Sequence, residues 1–146
     1  MTRSELELHL KDKLAEVDPR ISLSLGHTKT KYPRGYFSPK GTLVKVLIPV
    51  KKEYTEEDLK EALAVLAHEV GHFEVVAGRE PGKFLPPPGT VPTEIEASWR
   101  GLNWAREWGI FPEFIEHQVR RSPTSYAEDI RKDVEGFFRG FLGTRE

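Results

Sequence analysis

The chain has 146 residues, a formal net charge of −1 and no cysteine, and its length suits a single domain over residues 1–146. Without cysteine there is no disulfide framework, thiolate metal site or cysteine nucleophile, so any metal must be held by His, Asp or Glu. The near-neutral charge, with the two signs intermixed, predicts no nucleic-acid partner, and no apolar run is long enough to span a membrane. The polar N-terminus lacks a signal-peptide pattern, so a cytoplasmic location is expected.

An amphipathic helix is predicted at the N-terminus. Ser4 is a candidate N-cap, and the helix should end before Asp18 and Pro19. The apolar side chains recur at three- and four-residue spacing, as one buried face requires: Leu6, Leu10, Leu14 and Val17.

Three short strands are predicted next. Residues 21–25 alternate apolar and polar side chains up to Gly26, and a second strand is expected at Tyr36 and Phe37 between turn residues. The clearest strand covers residues 42–50, with Pro49 ending it or marking it as an edge strand. Its core-facing positions are predicted to be Val44, Val46, Ile48 and Val50. Together these strands predict a small, mostly antiparallel sheet and an α+β fold.

A long helix follows the predicted sheet. Thr55 begins a capping box with Asp58, and the helix should run to about Ala77, where Gly78 is a natural stop. One stripe is formed by Leu59, Leu63, Leu66, Val70, Phe73 and Ala77. Because valines also occupy the opposite face, this helix is predicted to be buried nearly all round.

This helix carries the motif H-E-x-x-H at His68, Glu69 and His72. Two histidines four residues apart on a helix project from one face and can share one Zn²⁺. The intervening glutamate can take a proton from water activated there. The motif is therefore typical of metal-assisted hydrolysis.

A proline-dense loop covers residues 80–92 and is a candidate lid, with Phe84 or Leu85 in the cleft. A second helix is predicted after it, from Glu94 to Trp108. Thr93 is its predicted N-cap and Gly109 its stop. Further helices over residues 112–121 and 126–142 carry apolar stripes that indicate core packing.

The acidic residues of the second helix lie on different faces. Glu94 lies on a face of small residues, Ala97, Ser98, Gly101 and Ala105. Glu96 lies on another face, four residues before Arg100, and is expected to pair with it in solvent. The small face can approach a matching flank of the H-E-x-x-H helix formed by Ala64, Ala67, Gly71 and Gly78. Since a carboxylate oxygen must come within about 2.0 to 2.2 Å of zinc, a third ligand from this helix requires such close packing.

The motif His68-Glu69-x-x-His72, followed on a second helix by Glu94-Ile95-Glu96-Ala97, resembles the gluzincin metallopeptidases. In that family the first Glu of E-x-x-A is the third zinc ligand. The small size and the helix-then-sheet opening are similar to ImmA/IrrE-like metalloproteases and minimal single-domain gluzincins. The resemblance implies a zincin-like fold, His68, His72 and Glu94 as Zn²⁺ ligands and Glu69 as general base. One departure from the family pattern is Ser98, where many relatives have Asp or Asn to orient a ligand histidine; a shorter hydroxyl could serve in that role.

The implied activity is that of a zinc metalloendopeptidase acting on peptide or protein substrates. His117 and Tyr126 are candidates for stabilising the oxyanion, and the strand at 42–50 is a candidate for edge pairing with substrate. Two alternatives stay open. His117 could replace Glu94 as third ligand, or the chain could be a zinc-stabilised regulatory or interaction protein of the same fold with latent or no proteolytic activity.

Overall fold

The fold is α+β, with four helices and a three-stranded sheet in the part of the chain that the structure describes. The structure is a computed structural model that describes residues 1–38, 40, 42–78 and 91–120, without the side chains of residues 91–93 and 95. The elements in chain order are α1 (Arg3–Val17), β1 (Ser22–Thr28), β2 (Arg34–Ser38), β3 (Leu43–Pro49), α2 (Glu56–Ala77), α3 (Val91–Glu107) and α4 (Phe111–Arg120). No helix among these residues is long and apolar enough to cross a membrane.

Helix α1 begins earlier than predicted. Its N-cap is Thr2, whose hydroxyl accepts from the backbone N–H of Glu5, while the Glu5 carboxylate accepts from the N–H of Thr2. This reciprocal capping box satisfies two donors that the first turn would otherwise leave unpaired. Ser4 therefore lies within the first turn, and the prediction that it caps the helix was wrong. The predicted core positions Leu6, Leu10 and Leu14 are buried.

The sheet is mixed, with strand order β1-β3-β2. Strand β3 pairs parallel with β1 and antiparallel with β2, so the predicted mostly antiparallel sheet was wrong. A short link joins β2 to β3, so these two strands form an antiparallel hairpin. β1 then pairs with the other edge of β3 and runs in the same direction as β3. β3 is the central strand, and therefore the predicted edge pairing with substrate along residues 42–50 was also wrong.

Two strand ends differ from prediction. Strand β1 continues through Gly26 to Thr28, where Gly26 pairs with Leu47 of β3 and an added Cβ would lie 2.8 Å from Leu47 Cδ2. Val44, Val46 and Ile48 are buried as predicted, whereas Val50 is 72% exposed. β3 ends at Pro49, which has no N–H to continue the ladder, so Val50 lies outside the sheet.

Helix α2 is the central element, in contact with α1, β2, β3, α3 and α4. Its bounds and its Thr55–Asp58 capping box are as predicted, with Gly78 as C-cap. From Ala62 to Phe73 every residue is buried. The prediction that this helix is buried nearly all round is therefore confirmed.

Helix α3 begins at Val91, three residues before the predicted start. Pro92 is tolerated in a first turn, where an N–H has no intrahelical partner, so Thr93 lies inside the helix rather than at its cap. The C-terminal end is as predicted. Gly109 has φ of 70°, and the N–H groups of Gly109 and Ile110 bond back to Arg106 and Ala105 in a Schellman motif.

Helix α4 covers Phe111–Arg120, close to the predicted 112–121. Its buried apolar residues Phe114, Ile115 and Val119 join the core, as expected. The helix predicted at 126–142 and nearly all of the proline-dense loop at 80–92 lie outside the described residues.

Candidate metal centre

Helices α2 and α3 pack with their backbones in direct contact. A Cβ added to Gly71 would lie 1.9 Å from the carbonyl oxygen of Ala97, and one added to Gly101 would lie 2.5 Å from that of Ala67. Ordinary van der Waals contact needs about 3.5 Å or more, so only glycine fits at either position. The close approach predicted from the two small-residue faces is confirmed.

This packing brings together His68 and His72 from α2 and Glu94 from α3. The two histidine Nε2 atoms are 3.1 Å apart. Glu94 Oε2 lies 2.8 Å from His68 Nε2, and Glu94 Oε1 lies 3.3 Å from His72 Nε2. The side chains of His68, His72 and Glu94 are 0%, 6% and 12% exposed, so this cluster is well shielded from solvent.

The donor set and its spacing fit a zinc ion. With metal–nitrogen bonds of about 2.0 to 2.1 Å and tetrahedral angles, two ligand nitrogens stand about 3.3 Å apart, close to the observed separation of 3.1 Å. One candidate atom from each residue lies within 4.8 Å of the others, and this is the one such group among the described residues. Two imidazoles and a carboxylate can hold zinc and leave a position for water.

Glu96 lies away from this cluster. Its carboxylate is 3.6 Å from the Arg100 guanidinium, and both side chains are about 40% exposed, at 43% and 40%. The predicted division of the two glutamates, one toward the other helix and one toward solvent, is confirmed.

Glu69 is adjacent to the first histidine and is only 1% exposed. Strand β2 passes against it, since a Cβ added to Gly35 would lie 3.2 Å from Glu69 Cγ. β2 is an edge strand whose paired neighbour within the described sheet is β3. The general-base candidate therefore lies between the motif helix and a sheet edge.

Behind His68, a polar chain leads from α3 to α4. The Ser98 hydroxyl is 3.3 Å from His68 Nδ1 and donates to Gln118 Oε1 at 2.7 Å. Ser98 and Gln118 are both 3% exposed. The hydroxyl thus reaches the ligand histidine, as the resemblance requires of this position, while Gln118 was missed because it lies twenty residues further on and belongs to no motif.

The hydrogen bonds of Ser98 and Gln118 select one tautomer of His68. A serine hydroxyl has a single proton, and it is donated to Gln118, so its oxygen must accept the Nδ1–H of His68. The lone pair of that imidazole is then on Nε2, the atom that faces His72 and Glu94. Ser98 and Gln118 together hold His68 in the form that can bind a metal.

Removing either member of this chain is expected to weaken zinc binding by about 10- to 100-fold, the range found for partners of metal-ligating histidines. Ser98→Ala removes the hydroxyl, and Gln118→Met removes the acceptor while keeping the length of the side chain. Competition with a chromophoric chelator gives the zinc Kd, and circular dichroism checks that the fold is intact. The double variant should lose little more zinc affinity than Ser98→Ala alone, since Gln118 acts on His68 through Ser98. If the two losses of affinity multiply, Gln118 does not act through Ser98.

His117 is buried on α4, and its ring centroid lies 6.1 Å from that of His68. It does not belong to the convergent group of ligand atoms. The arrangement thus assembles Glu94 rather than His117 with the two motif histidines. Tyr126 lies outside the described residues.

Comparison of the chain with models of protein families, with characterised proteins and with solved structures gave no match. The chemical interpretation of the cluster therefore depends on its geometry and on the motif.

Proposed function

We propose that this chain is a zinc-dependent endopeptidase of the gluzincin type. The observation that carries the proposal is the buried convergence of His68, His72 and Glu94, with Glu69 beside it on the same helix. In this proposal the three residues hold Zn²⁺ and Glu69 is the general base.

Zinc held by these ligands would acidify a water molecule and polarise the carbonyl of a peptide bond. Glu69 would take the proton of the attacking water and later pass it to the leaving amine. The 1% exposure of Glu69 supports this role, since a carboxylate shielded from bulk water interacts more strongly with charge that develops nearby. Ser98 and Gln118 would keep His68 in its metal-binding tautomer throughout.

Strand β2 is the candidate platform for the substrate, in place of β3. An extended peptide can add to a sheet edge through main-chain hydrogen bonds that do not depend on its side chains. β2 is an edge of the described sheet and Gly35 brings it against Glu69, so a peptide paired there would run past the general base.

Zinc content and proteolysis, measured together, test this proposal. The wild-type protein is expected to contain one zinc per chain and to cleave a peptide library, losing cleavage on chelation and regaining it with Zn²⁺. Glu94→Ala should lose both properties, because two histidines alone make an incomplete site. His117→Ala is the matched control and should keep its zinc.

Full zinc occupancy in Glu94→Ala together with loss in His117→Ala would instead assign the distal histidine as third ligand. Zinc binding with metal-dependent thermal stabilisation but without cleavage would favour the non-catalytic alternative, a zinc-stabilised regulatory or interaction protein.

A further inference from the structure

The two signs of charge are unevenly distributed along the chain, so the description of them as intermixed was wrong for one long stretch. Residues 20–52 contain eight lysines and arginines and no acidic residue, whereas the whole chain has a net charge of −1. This stretch includes all three described strands. The stretch that contains the sheet is therefore strongly basic, and the rest of the chain is acidic to a similar extent.

Most of these cations have no acidic partner within the described structure. Arg20 pairs with Asp18, and Lys51 pairs with Asp58. No described carboxylate lies within ion-pair distance of the other six, which are Lys29, Lys31, Arg34, Lys40, Lys45 and Lys52. A concentration of unpaired cations attracts anionic ligands.

Three of these cations lie on or near β2, and we call them the basic edge: Arg34 on β2 itself, Lys45 on the neighbouring β3, and Lys31 three residues before β2. Arg34 and Tyr36 share one face of β2, and Tyr36 pairs across the sheet with Lys45. Lys45 Nζ lies 5.5 Å from the centre of the Tyr36 ring. Arg34 and Lys45 are thus on the face of the sheet opposite to the face that packs on α2.

The residue between Arg34 and Tyr36 connects this edge to the candidate site. Gly35 faces α2, where an added Cβ would lie 2.4 Å from Val65 Cγ1 and 3.2 Å from Glu69 Cγ. Side chains alternate between the two faces of a strand. A peptide paired with β2 would therefore place every second side chain beside the basic edge while its backbone passes Glu69.

We infer that the substrate of this chain is an extended peptide with acidic side chains at alternating positions, recognised by the basic edge. The inference rests on the proposed function, because it takes the substrate to lie along β2. Acidic side chains beside the basic edge raise the association rate of the peptide, and the basic edge repels basic peptides. Added salt weakens both effects.

A single-stranded nucleic acid is the other anionic ligand to consider, since Tyr32 and Tyr36 are both exposed. Each ring already has a cation over a face. Lys31 Nζ is 5.4 Å and the Arg120 guanidinium carbon 4.1 Å from the Tyr32 centroid. Bases would have to displace these cations to stack, whereas a peptide uses the strand edge and leaves them in place.

Binding to the inactive Glu69→Gln variant tests the inference without cleavage. Fluorescence anisotropy would compare peptides of equal length with glutamate or glutamine at alternating positions, and a single-stranded oligonucleotide. The acidic peptide is expected to bind about five- to tenfold more tightly at low salt, the size of effect expected from a few exposed charge pairs. The double variant Lys31→Gln/Arg34→Gln, made in the same background, should remove this preference.

The matched control is Lys11→Gln/Lys13→Gln, which removes the same charge from α1 and should keep the preference. Equal binding of the two peptides, or tighter binding of the oligonucleotide than of the acidic peptide, would overturn the inference. If the wild-type protein shows no zinc-dependent cleavage, that result counts against the proposed function instead. The two failures are therefore distinguishable.

Discussion

Glu69→Gln is expected to keep bound zinc and to lose peptide cleavage by about 10²- to 10⁴-fold, the usual contribution of a general base. The amide has nearly the shape of the carboxylate but cannot accept the proton of the attacking water. Zinc should remain because His68, His72 and Glu94 are unchanged. The measurements are zinc content by elemental analysis and kcat/KM on a fluorogenic peptide selected from the library digest.

A matched control comes from the same helix. Glu61 is half-buried on α2, two turns before the motif, and burial raises the pKa of its carboxyl. Glu61→Gln makes the same chemical change and should leave both zinc and cleavage unaltered. Undiminished proteolysis by Glu69→Gln would remove that residue from the mechanism, whereas loss of zinc in that variant would assign it a structural role.

Local signals predicted the elements that carry the site. A capping box and a glycine stop define α2 from Thr55 to Gly78, because these interactions involve residues within one or two turns of each other. The helical wheel separated Glu94 from Glu96 for a similar reason. A face lined by small residues can only be buried against another backbone, and Gly71 and Gly101 now lie against carbonyl groups of the partner helix.

Features that depend on pairing between distant segments were not predictable from local patterns. The alternation in residues 42–50 indicated a strand, but it contained nothing to show that β3 pairs on both sides, or that β1 runs parallel to it. Gln118 lies on α4 as a polar residue in a helical stripe, and only the packing of α4 against α3 brings it to Ser98.

The prediction of the α1 N-cap was wrong for a different reason. Thr2 and Ser4 are both good N-cap residues, and each has a glutamate three positions on, Glu5 and Glu7. Both therefore match the capping-box pattern, although only Thr2 forms the box. Tertiary contacts select between the two, since the N–H of Tyr54 bonds to the Met1 carbonyl and fixes the chain just before Thr2.

A second large effect is expected from substitution of Gly71, where α2 contacts α3. In Gly71→Ala the new Cβ would start 1.9 Å from the Ala97 carbonyl oxygen. Both atoms at this contact are fixed to backbone, so no side-chain rotation relieves it and the helices must separate by more than about 1 Å. Overpacking of this kind costs about 1–3 kcal/mol of stability or more, against about 1 kcal/mol gained from helix propensity.

Zinc affinity should fall together with stability in Gly71→Ala, because Glu94 lies one turn before Ala97 on the helix that is displaced. Urea unfolding of the metal-free protein measures the first effect, and chelator competition measures the second. Gly78→Ala is the control. Gly78 has φ of −82° at the end of the same helix, a conformation that alanine adopts readily. An added Cβ there would lie 3.1 Å from the Glu74 carbonyl oxygen, against 1.9 Å at Gly71, so this variant should lose much less stability and keep its zinc affinity. If Gly71→Ala is destabilised but binds zinc as tightly as the wild type, the close packing of α2 and α3 does not position Glu94.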